Sequence, residues 1–178
     1  MQLKYRLLNV FALAGDPFSG NPLCVFEDGR GLDTATMQAL ARQFNLSETT
    51  FIMPSDRADA FVRIFTPDYE MPFAGHPTLG TAAVVHSLSQ GARQDAAAIV
   101  MAMQSGLIPV SRQGVLWTLR ANAPTTRVND RDPAELAAAL GLQPGDIRFY
   151  VLGHMAALAA GLPAAELTGM PRARVFTG

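Results

Sequence analysis

The chain is poor in cysteine, in tryptophan and in charge. Of its 178 residues one is a cysteine, Cys24, one is a tryptophan, and 16% are charged. A single thiol excludes an intrachain disulfide and any multi-cysteine metal site. The 14 Lys and Arg set against 15 Asp and Glu leave a formal net charge of -1. No segment gathers the dense basic stripe that binds phosphate backbones, so nucleic acid is not an expected partner. No run approaches the roughly 20 apolar residues of a membrane-spanning helix. The opening residues 1–6 alternate charged with apolar side chains, unlike a signal peptide. These absences predict a soluble, cytoplasmic protein with no membrane partner. What is plentiful is apolar residues, at 49%, together with 15 glycines and 12 prolines. That composition builds a packed core crossed by many turns, in one ordinary domain or one and a half small ones, and excludes disorder as the main state.

Alternation over residues 3–13 predicts a strand with one wet face, broken by Gly15-Asp16-Pro17. The turn Ser19-Gly20-Asn21-Pro22 leads into a short buried strand over 23–26. Asp33 or Thr34 can cap a helix whose apolar positions Met37, Leu40, Ala41 and Phe44 fall on one face, with Asn45 as a left-handed stop. Strands are expected over 49–53 and 60–66, the second holding a polar Arg63 and ending at Pro67. The segment after Gly75-His76 predicts a helix to about Ser89, with Pro77 at its first position and Gly91 beyond its end. This helix is small or apolar nearly all round, so it must be buried on every side, with strands wrapped about it. Further strands are expected over 97–103, 107–111 and 115–120, the last two as a hairpin. A new pattern begins near 122–130: a helix over 133–140 stopped by Gly141, a strand over 146–152, then an alanine-rich helix.

Three clusters carry chemistry. In Asn45-Leu46-Ser47-Glu48-Thr49-Thr50 a carboxyl lies between a helix end and an apolar strand. Glu48 is either an ordinary surface glutamate or, if drawn into the core, an acid of raised pKa able to trade a proton near neutral pH. In residues 71–80 the helix N-terminus offers free N–H groups from Thr78 onward, an end that favours a carboxylate or phosphate. His76 there either caps the helix or assists proton transfer. Asn21 in the third cluster reads first as a turn residue. His86 reads as a core histidine, and His154 sits in a weakly patterned tail. Three scattered histidines without a helically spaced acid give no metal site. Ser47 and His76 raise a hydrolase reading, but no Gly-x-Ser-x-Gly elbow surrounds Ser47 and no Gly-Lys-Ser/Thr phosphate loop follows the glycines near 75–80.

Residues 20–25 (GNPLCV), 41–51 (ARQFNLSETTF) and 63–80 (from RIFTP to FAGHPTLG), occurring in that order, resemble the phenazine biosynthesis PhzF-like family of isomerases over residues 3–120. The resemblance implies an α+β, diaminopimelate-epimerase-like fold. There a mixed or antiparallel β-roll surrounds a central buried helix, and two similar domains flank the active site. Residues 1–125 would form the N-terminal domain and 126–178 a partial or divergent second one. By the same resemblance Glu48 is the general acid/base, and Gly75 and His76 are the substrate-binding pair at the helix N-terminus with Ser47 nearby, acting on a small carboxylated substrate with no metal or coenzyme. From their own places at the helix end and in the turn, His76 is a catalytic candidate, Thr78 a further substrate contact and Asn21 a lesser one. The family's second-domain motif, resembling Glu-Asp-Pro-x-Thr-Gly-Ser, is absent. Arg174-Val-Phe-Thr177 faintly echoes Arg63-Ile-Phe-Thr66, as though the chain stopped before the second half-site. An apolar face left uncovered would favour a homodimer. The alternative to an isomerase, impaired or not, is a non-catalytic small-molecule-binding or interaction protein built on the same fold.

Overall fold

A computed structural model describes residues 2–89, 95–120, 132–144 and 172–177. The chain divides into two units: Met1–Ala121 with Met170–Gly178, and Asn122–Gly169. In chain order the first unit holds β1 (Tyr5–Val10), β2 (Asn21–Phe26), α1 (Thr34–Phe44), β3 (Thr49–Met53), β4 (Ala60–Phe65), β5 (Glu70–Met71) and α2 (Gly75–Leu88). β6 (Ala98–Met103), β7 (Gly106–Gln113) and β8 (Leu116–Leu119) follow. In the second unit the described element is α3 (Pro133–Leu140), begun by the Asp132 side chain and Pro133 and ended by Gly141 in the left-handed conformation. β9 (Arg172–Thr177) rejoins the first unit.

The strands run in the order β3-β2-β1-β9-β8-β7-β6-β4-β5, and β3 also pairs with β4, so eight of them close into a ring. Two pairings are parallel, β2 with β3 and β4 with β6, and the rest are antiparallel. Inside the ring lies α2, buried from His76 through Val85, as its composition requires. Leu8, Val10, Leu23, Val25, Val62, Ile64, Ile99, Met101, Val110 and Leu119 point at it from the strands. A second cluster packs α1, through Met37 and Ala41, on Cys24, Phe26, Phe51 and Phe65 of the sheet. Phe26 stacks on Phe51 at 4.7 Å.

Gly80 decides how closely α2 approaches the sheet. A Cβ there would stand 2.5 Å from Leu23 Cδ2, 2.8 Å from Leu8 Cδ1 and 3.0 Å from Val10 Cγ2. Those three side chains belong to β1 and β2, so the absence of one methyl group seats the helix on that pair of strands. Polar Arg63, set within β4, is held by Glu70 of β5 through two bonds of 2.6 and 2.7 Å and lies over the Phe65 ring.

Several boundaries differ from the sequence reading. α2 begins at Gly75, two residues before Pro77, and is closed by Ser89. Pro77 therefore occupies its third position, which still needs no intrahelical N–H. β2 starts at Asn21, because Asn21 and Pro22 pair with Val10 and Asn9 instead of remaining in the turn. β7 extends to Gln113, leaving Gly114 (φ 61°) and Val115 as the hairpin turn. β9, to which the sequence reading gave no strand, closes the ring by pairing with β1 and β8. Gly91, the strand over 146–152, His154 and the alanine-rich helix lie outside the described residues. Among the described residues no helix is long and apolar enough to cross a membrane.

The seating of α2 makes a testable statement. Helix propensity alone would make Gly80→Ala stabilising by about 1 kcal/mol. The crowding at Leu23 and Leu8 reverses that sign, and we expect a loss of about 1–3 kcal/mol. Urea denaturation checks it; a midpoint raised by the substitution would mean the helix stands further from β1 and β2 than described.

Candidate functional site

Three chain segments meet at one end of the ring. The first is the start of β2, set by Gly20, whose φ of 149° and approach to the Val10 carbonyl leave no room for a side chain. Asn21 follows directly. The second is the link from α1 to β3. Asn45 stops α1 with φ 51°, and Ser47-Glu48 then enter β3, which runs parallel to β2 in the register Cys24 with Thr49. Parallel pairing puts the starts of both strands at the same end. The third is the N-terminus of α2, where His76 lies one turn before Gly80 and so on the same helix face. The close seat that Gly80 allows on β1 and β2 therefore carries His76 to Asn21.

Glu48 and His76, far apart in sequence, stand together. Glu48 Oε2 lies 3.4 Å from His76 Nδ1, with side chains 13% and 3% exposed. Asn21 Nδ2 lies 3.3 Å from the same Nδ1, and Ser47 Oγ donates to Asn21 Oδ1 at 2.8 Å. Glu48 Oε2 and His76 Nε2 are buried and without a hydrogen-bond partner. Burial pushes the Glu48 carboxyl above its ordinary range, with the Ser47 side chain pulling the other way. Burial lowers the His76 pKa to about 4, against the pull of the Pro22 carbonyl. Each shift favours the uncharged form.

Gly75 faces open space, with nothing within 4 Å of where a Cβ would stand. A ligand can thus reach the backbone at the first turn of α2, where the leading N–H groups have no helical acceptor and the helix dipole is positive. Thr78 departs from its expected part. Because the helix starts at Gly75, the Thr78 N–H already donates to the Ala74 carbonyl at 3.3 Å, and its hydroxyl donates to the same oxygen at 2.6 Å. The free donors belong to the turn before it. Nor do Ser47 and His76 form a nucleophile and base pair, since Asn21 stands between them and takes the hydroxyl hydrogen. His86 sits at the other end of α2, 3.3 Å from Arg112 and edge-on to Trp117. Among the described residues no cluster of three His, Cys, Asp or Glu is placed to hold a metal ion.

The bridging place of Asn21 is what sequence reasoning missed. Its signal is the parallel register of β2 and β3, which is a long-range feature, whereas locally Gly20-Asn21-Pro22 reads as a turn.

The buried histidine predicts a pH dependence. Its folded pKa of about 4 lies below the ordinary histidine value of 6.5, so the unfolded chain binds the extra proton first as the pH falls. Stability from this group is complete above pH 6.5 and is lost as the pH drops toward 4, by roughly 2 kcal/mol at about pH 5. Glu48, shifted upward, acts oppositely: its contribution is present at low pH and is lost as the pH rises through its folded pKa. Urea midpoints measured from pH 7 to pH 5 should fall less steeply in His76→Gln than in the wild type. Identical slopes would remove His76 as a buried neutral group.

Residues 9–167 match the family of phenazine biosynthesis-like proteins. An uncharacterized isomerase of Mesorhizobium japonicum is 40% identical over 170 residues, covering 90% of this chain and 54% of that protein. The trans-2,3-dihydro-3-hydroxyanthranilate isomerase of Pseudomonas aeruginosa is 41% identical over 145 residues, covering 78% and 50% respectively. Among solved structures, the PhzF-family phenazine biosynthesis protein of Bacillus anthracis superposes with a TM-score of 0.66 at 29% identity, over 83% of this chain and 50% of that one. The chain spans about half the length of the curated relatives it matches. Its α+β roll around a buried helix is the diaminopimelate-epimerase-like arrangement expected from the sequence motifs. The chain belongs to the phenazine biosynthesis-like, PhzF-related family.

Proposed function

We propose that this chain carries the proton-transferring half-site of a PhzF-like isomerase acting on a small carboxylated substrate, without metal or coenzyme. The observation that supports this reading best is the meeting of Glu48 and His76 at the open first turn of α2. Moving a proton between carbons needs an acid/base of suitable pKa and donors for the negative charge that develops. Glu48, raised by burial, is the first of these, and the N-terminus of α2 the second. The substrate carboxylate lies against the Gly75 and His76 N–H groups, where the helix dipole favours an anion. The proton passes between substrate carbon and the Glu48 carboxyl. The electron pair of the broken C–H bond spreads into the conjugated system, and a proton returns at another carbon. Bond making and breaking then balance with no oxidant, reductant or leaving group.

The direct experiment offers the full chain trans-2,3-dihydro-3-hydroxyanthranilate in heavy water and follows deuterium at carbon. Wild type should incorporate it and Glu48→Gln should lose at least about 100-fold in rate, the scale of a general acid/base contribution. Exchange unchanged in the variant would remove Glu48 from the chemistry. Binding with no exchange in the wild type would leave a small-molecule-binding protein. A second variant tests the seat of the carboxylate. Since Gly75 borders open space, Gly75→Ala should fold normally, with a urea midpoint close to wild type, yet raise KM by about tenfold through the crowded approach to the helix. An unchanged KM would move the substrate away from that turn.

A further inference from the structure

Ser47, Asn21 and His76 form a chain of hydrogen bonds whose direction is set by what each group can give. A serine hydroxyl has one hydrogen, and Ser47 Oγ donates it to Asn21 Oδ1 at 2.8 Å. That places the amide carbonyl toward Ser47 and the amino group toward His76, with Asn21 Nδ2 3.3 Å from Nδ1. An amide amino group only donates, so Nδ1 meets it with its lone pair and the neutral ring carries its hydrogen on Nε2. Glu48 Oε2 faces the same Nδ1 at 3.4 Å. A carboxylate in that position would meet a lone pair instead of an N–H, and Oε2 is buried with no other partner.

We propose that Asn21, anchored by Ser47, is a positioning residue that keeps His76 in its Nε2–H form, denies Glu48 an ion-pair partner, and so holds Glu48 as the uncharged acid before substrate arrives. This rests on the reading of Glu48 as the acid/base and adds to it the state in which the carboxyl waits for substrate. Ionised Glu48 would also compete with Asn21 for the single Ser47 hydrogen. Protonation of Glu48 and the Ser47–Asn21–His76 chain are therefore linked. The groups facing the imidazole are the Asn21 amide and Pro22 carbonyl of β2 and the carboxyl of Glu48. Of these, only Glu48 can carry charge. For Asn21, whose place in the turn suggested direct contact with substrate, this adds a part exerted through His76.

The test needs no substrate. Nitrogen-15 spectra of the imidazole rings distinguish the two tautomers, and His76→Gln identifies the His76 signals among the three histidines. The wild type should show the Nε2–H form over the Nδ1–H form by at least tenfold. In Asn21→Asp the side chain can only accept, so the ratio should reverse or the ring should take a second proton. Infrared spectra taken across a pH series should show a protonated carboxyl band that persists to higher pH than the bands of exposed glutamates, disappears in Glu48→Gln and weakens in Asn21→Asp. A wild-type ring in the Nδ1–H form, or a ratio untouched by Asn21→Asp, overturns the proposal. If Asn21→Asp does not fold, the wild-type ratio and the Glu48 band decide alone. These readouts are separable from catalysis: the expected tautomer with no deuterium exchange would sink the isomerase reading and spare this one, and exchange with the Nδ1–H tautomer would do the reverse.

Discussion

The fold and its site depend on one close contact, the approach of α2 to β1 and β2 at Gly80. A helix that is apolar on every face has no preferred side to bury, and hydrophobic burial alone would leave its rotation and depth within the ring loosely specified. A glycine facing Leu8, Val10 and Leu23 supplies the missing specification, because only one face can come that near. His76, one turn earlier on that face, is then delivered to the mouth of β2. The same interaction that completes the core thus determines where the imidazole stands.

A second constraint is the parallel pairing of β2 and β3. Parallel strands need a crossover, and α1 provides it, packed on the sheet through Met37 and Ala41. The end of that crossover is Ser47-Glu48, so the carboxyl arrives at the strand starts as a consequence of connectivity. Cys24 and Phe51, buried along these two strands, contribute to the packing that holds the register. With its thiol pKa raised to about 12 by burial, Cys24 is a packing residue and not a nucleophile.

The sequence made much of this legible. Thr34–Phe44 with its Asp33 and Asn45 caps, Thr49–Met53, and Pro133–Leu140 with its Gly141 stop are local patterns, and local patterns set local structure. α2 announced its burial by having no polar face. Glu48 and His76 were nameable because they lie in separate, recognisable motifs. What could not be read was whatever depends on distant partners. Arg172–Thr177 has mixed composition and becomes a strand by pairing with β1 and β8. Thr78 lost its free N–H to a helix start two residues earlier than Pro77 suggested. Asn21 looked like a turn residue, and its amide acquires a direction only when Ser47 and His76 flank it.

Why Glu48 and His76 do not become an ion pair follows from magnitudes. At 3.4 Å two unit charges attract by about 5 kcal/mol at an effective dielectric constant of 20. Withdrawing each ion from water costs several kcal/mol, and the pair must meet that cost twice. The attraction could prevail only with a well-aligned N–H between the partners and further hydrogen bonds to the carboxylate. Here Asn21 occupies Nδ1, and Oε2 has no other partner. The ion pair is consequently disfavoured, in the direction of the opposite shifts of the two groups. For proton transfer this is an asset: an ion pair would have to be dismantled before reaction, whereas an unpaired carboxyl remains free to exchange its proton with a substrate held at the anion-favouring helix end.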